Sequence, residues 1–108
     1  MNFVCVSGVA KDDAWIRKNE KGLLIASFTL LVDVEKLPLH SEENSAVNEV
    51  LCIGFDRMAD KAGLAVKKGC KVEVTGMLTF YTRVKDNGDK SYEYSIQMDH
   101  VKKTGDYE

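Results

Sequence analysis

Apolar and polar positions alternate with a period of two along most of the chain, the spacing that sends successive side chains of a strand to opposite faces. Residues 2–10 are apolar on both parities and are interrupted by Gly8, which predicts a central or oligomer-covered strand kinked at the glycine. Residues 11–22 are polar and end in Asn19-Glu20-Lys21-Gly22, a hairpin-type turn. In the next strand Leu24, Ala26, Phe28, Leu30 and Val32 form an apolar face, while Ile25, Ser27, Thr29, Leu31 and Asp33 form a mixed one. Pattern is lost over residues 35–49, where Pro38 and Ser41-Glu42-Glu43-Asn44-Ser45 predict a long mobile loop, and a third strand follows at 50–55. Residues 56–67 switch to helical spacing, with Met58, Ala62, Ala65 and Val66 on one side and Asp56, Arg57, Asp60, Lys61 and Lys67 mostly on the other. Lys68-Gly69 ends that helix. Alternation resumes over 71–84, broken by Gly76, and Asp86-Asn87-Gly88-Asp89 turns the chain into a fifth strand at 91–101.

The element order is β-β-β-α-β-β. That is the order of a mainly all-β, five-stranded OB-fold Greek-key barrel with one short helix between its third and fourth strands. A ferredoxin-like order needs a helix after the first strand, and residues 11–22 are too short and polar to supply one. At 108 residues and 44% apolar content the chain makes one domain, expected over residues 1–105 with a short end at 106–108. Cys5, Cys52 and Cys70 are odd in number, far apart and set in apolar runs, which excludes a CxxC zinc pattern and a disulfide framework. They read as buried thiols in a reducing compartment, so the expected location is cytoplasmic; the first residues carry no secretion-signal pattern. The formal charge of −2 offers no overall attraction to a polyanion. Its distribution is uneven: residues 1–49 carry five Lys/Arg against eight Asp/Glu, residues 50–108 ten against nine.

Several segments in register resemble the bacterial and phage single-stranded-DNA-binding (SSB) family. Asn2-x-Val4-x-Val6-x-Gly8-x-Ala10 followed by Asp13-Ala14-Trp15-Ile16-Arg17 resembles that family's first strand and the turn after it. Gly22 leading into Ala26-x-Phe28-x-Leu30, and Phe55-Asp56-Arg57-Met58-Ala59-Asp60, resemble its second strand and its entry into the helix. Lys67-Lys68-Gly69-x-x-Val72-x-Val74-x-Gly76-x-Leu78 and Asp86-Asn87-Gly88 resemble the next strand and its hairpin. The likeness spans about residues 2–101. It implies non-sequence-specific binding of single-stranded DNA in replication, recombination or repair. A homodimer or homotetramer is expected because both faces of the first strand are apolar although a barrel supplies one interior, and no cofactor or catalysis is expected because catalytic constellations are nearly absent. The family's base-stacking aromatics fall here near Lys36, Glu49 and Arg83, none of them aromatic. Ala14 replaces the turn proline and Asp56 a usual glycine, and the acidic tail of bacterial members has no counterpart before Glu108, so the resemblance is to a divergent, minimal member.

Binding an unpaired strand needs flat rings for the bases and cations for the phosphates on one surface. By parity Thr79, Tyr81 and Arg83 point away from Leu78, Phe80 and Val84, whose face is expected in the core; the alternative is a bulge at Gly76, which would invert this and bury Tyr81. Lys85 and Lys90 flank the hairpin tip, and Lys71 lies with Lys67 and Lys68 at the helix end, where such charges also complement the helix dipole. Phe55 matches a family position that contacts bases, or else caps the barrel. Arg17 touches phosphate or closes its turn. Trp15 reads as edge-packed, with base stacking the alternative, and Tyr92 and Tyr94 mostly as structural. The expected interface is therefore Arg17, Phe55, Lys71, Tyr81, Arg83, Lys85 and Lys90, and RNA satisfies the same chemistry. His40 and His100 lack the neighbours of a metal site or triad, and no GxxxxGK loop is present. The rival reading is an OB-fold protein-interaction module, a primosome or phage replication adaptor.

Overall fold

A computed structural model describes residues 1–33 and 48–105, so the loop expected over 35–49 lies outside the described residues except at its last two positions. The elements are β1 (Val4–Ala10), β2 (Trp15–Lys18), β3 (Leu24–Val32), β4 (Glu49–Phe55), α1 (Arg57–Ala65), β5 (Lys71–Val84) and β6 (Lys90–Gly105). They form one sheet in the order β1-β5-β6-β4-β3-β2, and a further β1–β3 pairing closes it into a ring. All five expected strands are present, with the helix where the spacing predicts it, and the architecture is the OB-fold. The sixth strand, β2, corrects the reading of residues 11–22 as a turn only. Its four residues pair with β3, Trp15 opposite Ser27 and Lys18 opposite Leu24, and stay mostly exposed, so no apolar alternation marks them. The predicted turn follows directly, where the Asn19 side-chain oxygen accepts hydrogen bonds from the backbone N–H of Lys21 and Leu23.

The ring closes at Gly8. That residue pairs with Val72 on β5 and with Val32 on β3, and a Cβ there would stand 2.0 Å from the Leu31 carbonyl oxygen, so only glycine lets β1 approach both neighbours. Inside the ring lie Ala10, Phe28, Leu30, Cys52, Val72, Val74, Ile96 and Met98, and Ala59 and Ala62 of α1 pack against the same core. Burial of Cys52 pushes its thiol up to about 12. Cys52 and Cys70 are buried as expected; Cys5 is not, because it takes the outward parity of β1.

Two register shifts interrupt the β5–β6 pairing, at Lys71/Val72 and Thr75/Gly76. In both the additional residue belongs to β6, since Thr104 and Asp99 are skipped, so the parity of β5 runs unbroken from Val72 to Val84. The alternative of an inversion at Gly76 therefore does not occur, and Tyr81 and Arg83 keep the outward parity expected of them. A second expectation does fail: Phe80 and Val84 are exposed, not core, and Phe80 keeps 74% of its surface. The cause is length. β5 and β6 have 14 and 16 residues against seven to nine for β1, β3 and β4, so the hairpin runs beyond the barrel it helps to build. Tyr92 and Tyr94, assigned to structure by parity, are exposed on that projecting part for the same reason.

Candidate nucleic-acid interface

Residues paired across a sheet share a face, so the register fixes which side chains lie together. One row crosses five strands on the outward face: Trp15 on β2, Ser27 on β3, Ile53 on β4, Gln97 on β6 and Met77 on β5. The next row toward the hairpin holds Thr29, Leu51, Ser95 and Thr79, and at its β5 end a 2.7 Å hydrogen bond joins the neighbouring Thr79 and Ser95 hydroxyls. Two residues farther along β5 comes Tyr81 opposite Glu93, then Arg83 opposite Ser91. On the other side of the first row lie Arg17, Ile25 and Phe55. At strand spacings of about 4.8 Å the first row spans ~19 Å, and Tyr81 stands ~13 Å beyond Met77 along β5.

This face brings together Arg17, Phe55, Tyr81 and Arg83 of the expected residues. Arg17 donates from Nη1 to the Ser27 hydroxyl at 3.0 Å, and its guanidinium lies 4.1 Å from the centre of the Trp15 ring. Phe55 ends β4 opposite Ile25 and is half-buried. Lys85 and Lys90 flank the hairpin tip, where the Lys85 N–H donates to the Asp89 carbonyl and Gly88 takes a φ of 87°. Lys71 is separated from the others. It shares the parity of Tyr81 but sits ten residues back along β5, about 33 Å away, opposite Val9 of β1.

β6 pairs with β4 only over Ser95 to Gln97, so the two strands fork below the hairpin. An open cleft of about 510 Å³ fills the fork, lined by Thr29, Glu49 and Leu51 on one side and by Tyr81, Glu93 and the two tyrosines of β6 on the other. Its two carboxylates are each matched by a cation. Lys11 Nζ is 2.7 Å from Glu49 Oε1, and Arg83 Nε is 3.5 Å from Glu93 Oε1. The Glu49 carboxylate, by hydrogen bond and charge, raises Lys11 above the ordinary lysine value; Glu93 likewise raises Tyr81, because the phenol in its neutral form donates to the carboxylate.

Parity alone missed Glu93, whose place opposite Tyr81 needs the hairpin register, and it missed the exposure of Trp15, Phe80, Tyr92 and Tyr94. Counting strand lengths outward from the Asn-Gly turn was the available signal for the last three. Among the described residues no cluster of three or more His, Cys, Asp and Glu is arranged to hold a metal ion.

A family model described as the single-strand binding protein family matches residues 1–104. Among curated proteins none matches the chain.

Proposed function

Because the chain belongs to the single-strand binding protein family, we propose that it binds single-stranded DNA without sequence preference, laid across the outward face from β2 to β5, in replication, recombination or repair. The observation that carries the reading is the shared face of Tyr81, Arg83, Phe55 and Arg17, which offers rings and cations to one strand with a half-apolar floor of Ile53, Leu51 and Thr79 between them. The hairpin adds Lys85 and Lys90 at its tip, within reach of phosphates on a strand that passes beneath it. Lys71 belongs to this reading only if the strand continues around the barrel toward β1. Binding, not catalysis, is the activity, and no cofactor enters it.

Two surfaces left uncovered among the described residues support a homodimer or homotetramer. One is the hairpin face carrying Phe80, Tyr92 and Tyr94; the other is the β1 edge before Gly8, where pairing with β3 has not begun. A cytoplasmic location is supported by the three free thiols, which persist in a reducing compartment. No helix among the described residues is long and apolar enough to cross a membrane.

Titration of labelled oligo-dT tests the reading. The affinity is expected to fall with salt, log K against log salt having a slope of about −0.7 for each phosphate neutralised. Arg83→Glu should weaken binding several-fold and flatten that slope. Absent or salt-independent binding overturns the proposal and leaves the barrel as a protein-interaction module, while equal or tighter binding of oligo-U in the same assay would reassign the ligand to RNA.

A further inference from the structure

Trp15 is the single tryptophan of the chain, and it stands on an edge strand with 64% of its surface exposed. Indole is large and apolar, and in a monomeric domain it is ordinarily packed. Its strand neighbour Ile16 turns toward Gly63 of α1, where a Cβ would collide with the isoleucine side chain, although Ile16 too stays partly exposed. Trp15 is left on the opposite, outward face.

Nor is the ring loose. The Arg17 guanidinium covers one side of it at 4.1 Å and is itself held by the Ser27 hydroxyl at 3.0 Å. Ring and cation are thus fixed by β3 before any ligand arrives, which lowers the ordering cost of binding. One side of the indole lies under the guanidinium, and the residue as a whole stays largely exposed. The row that begins at Trp15 continues through Ser27, Ile53, Gln97 and Met77 to the strand that carries Tyr81 and Arg83.

We propose that Trp15, backed by Arg17, is a base-stacking platform at the β2 end of this face, so that a bound strand is held by rings at both ends: Tyr81 on the hairpin and Trp15 at the sheet edge. The inference rests on the single-strand-binding reading and deepens it by naming a ring contact ~19 Å across the sheet from β5. The base stacks on the open side of the indole; the guanidinium on the far side enriches the stack by a cation–π contact and places its charge near the adjoining phosphate.

One assay separates this inference from its premise. Fluorescein-labelled oligo-dT reports binding by anisotropy while the emission of Trp15, unaccompanied by other tryptophans, is followed in the same titration. Binding should quench Trp15 emission with the same midpoint as the anisotropy change. Trp15→Ala should weaken binding ~5- to 150-fold, as the loss of one stacked base predicts, whereas Trp15→Phe should retain most of the affinity. Because the side chain is exposed, both variants are expected to keep the wild-type circular dichroism and melting temperature. Oligo-dT binding with unchanged Trp15 emission, or with undiminished affinity in Trp15→Ala, overturns the platform and leaves the function standing. No binding of labelled oligo-dT by the wild type overturns both.

Discussion

Glu93 occupies the place on the outward face that suits a phosphate. It lies opposite Tyr81 and 3.5 Å from Arg83 Nε, so it answers with a carboxylate of this chain the two groups an incoming strand would use. The pair is solvent-exposed, at 64% and 30% for the two side chains, and such ion pairs contribute only about 0–1 kcal/mol. A polyanion can therefore displace it, though at the cost of leaving a carboxylate beside its own phosphates. Glu93→Gln should remove that competition: oligo-dT affinity is expected to rise several-fold and the salt slope to steepen by ~0.7, as Arg83 becomes available to one more phosphate. The same change should lower the Tyr81 titration toward the ordinary phenol value, since Glu93 is what raises it. Weaker binding by Glu93→Gln would show that the carboxylate organises the site and does not compete within it.

At the scale of elements, the start of α1 carries local strain. Asp56 has φ 54° and ψ −117°, a region that disfavours a Cβ, and its side chain makes no capping hydrogen bond to offset the cost. Asp56→Gly should stabilise the fold by about 1 kcal/mol and raise the melting temperature by ~4–8 °C; a lowered melting temperature would refute the strain argument. The periodicity of two made β3, β5 and β6 legible, short apolar runs marked β1 and β4, and the glycine and basic residues after position 66 marked the end of the helix. β2 was not legible, because a four-residue edge strand that buries little has no face for alternation to reveal. The bulges escaped too. They lie in β6 at Thr104 and Asp99, where the mismatch between two strands sets them, and neither sequence alone contains that mismatch.

For the whole molecule, the question is what covers the apolar side of the projecting hairpin. Phe80 and Tyr94 face each other across the pair, with Tyr92 beside them at 83% exposure, so among the described residues this side stays largely uncovered. Sedimentation equilibrium at micromolar concentration should give a mass of two or four chains, and Phe80→Glu should shift it toward one. A wild-type monomer would sink the proposed assembly without touching Tyr81 and Arg83, which take the opposite parity of the same hairpin.

The order of the five longer strands and the helix, the interruption of β1 at Gly8 and the two faces of the alternating strands are properties of the chain itself, because backbone geometry ties them to residue spacing; that Gly8 closes the ring is decided by β3 and β5 on either side of it. Which of those faces meets solvent is not. Phe80 was assigned to the core and Trp15 to an edge contact because alternation says which residues point the same way, whereas burial depends on what other strands lie above them. Only the closed barrel, shorter than its own hairpin and edged by an unannounced strand, decides that Phe80, Tyr92 and Tyr94 overhang it and that Trp15 stands open beside Arg17.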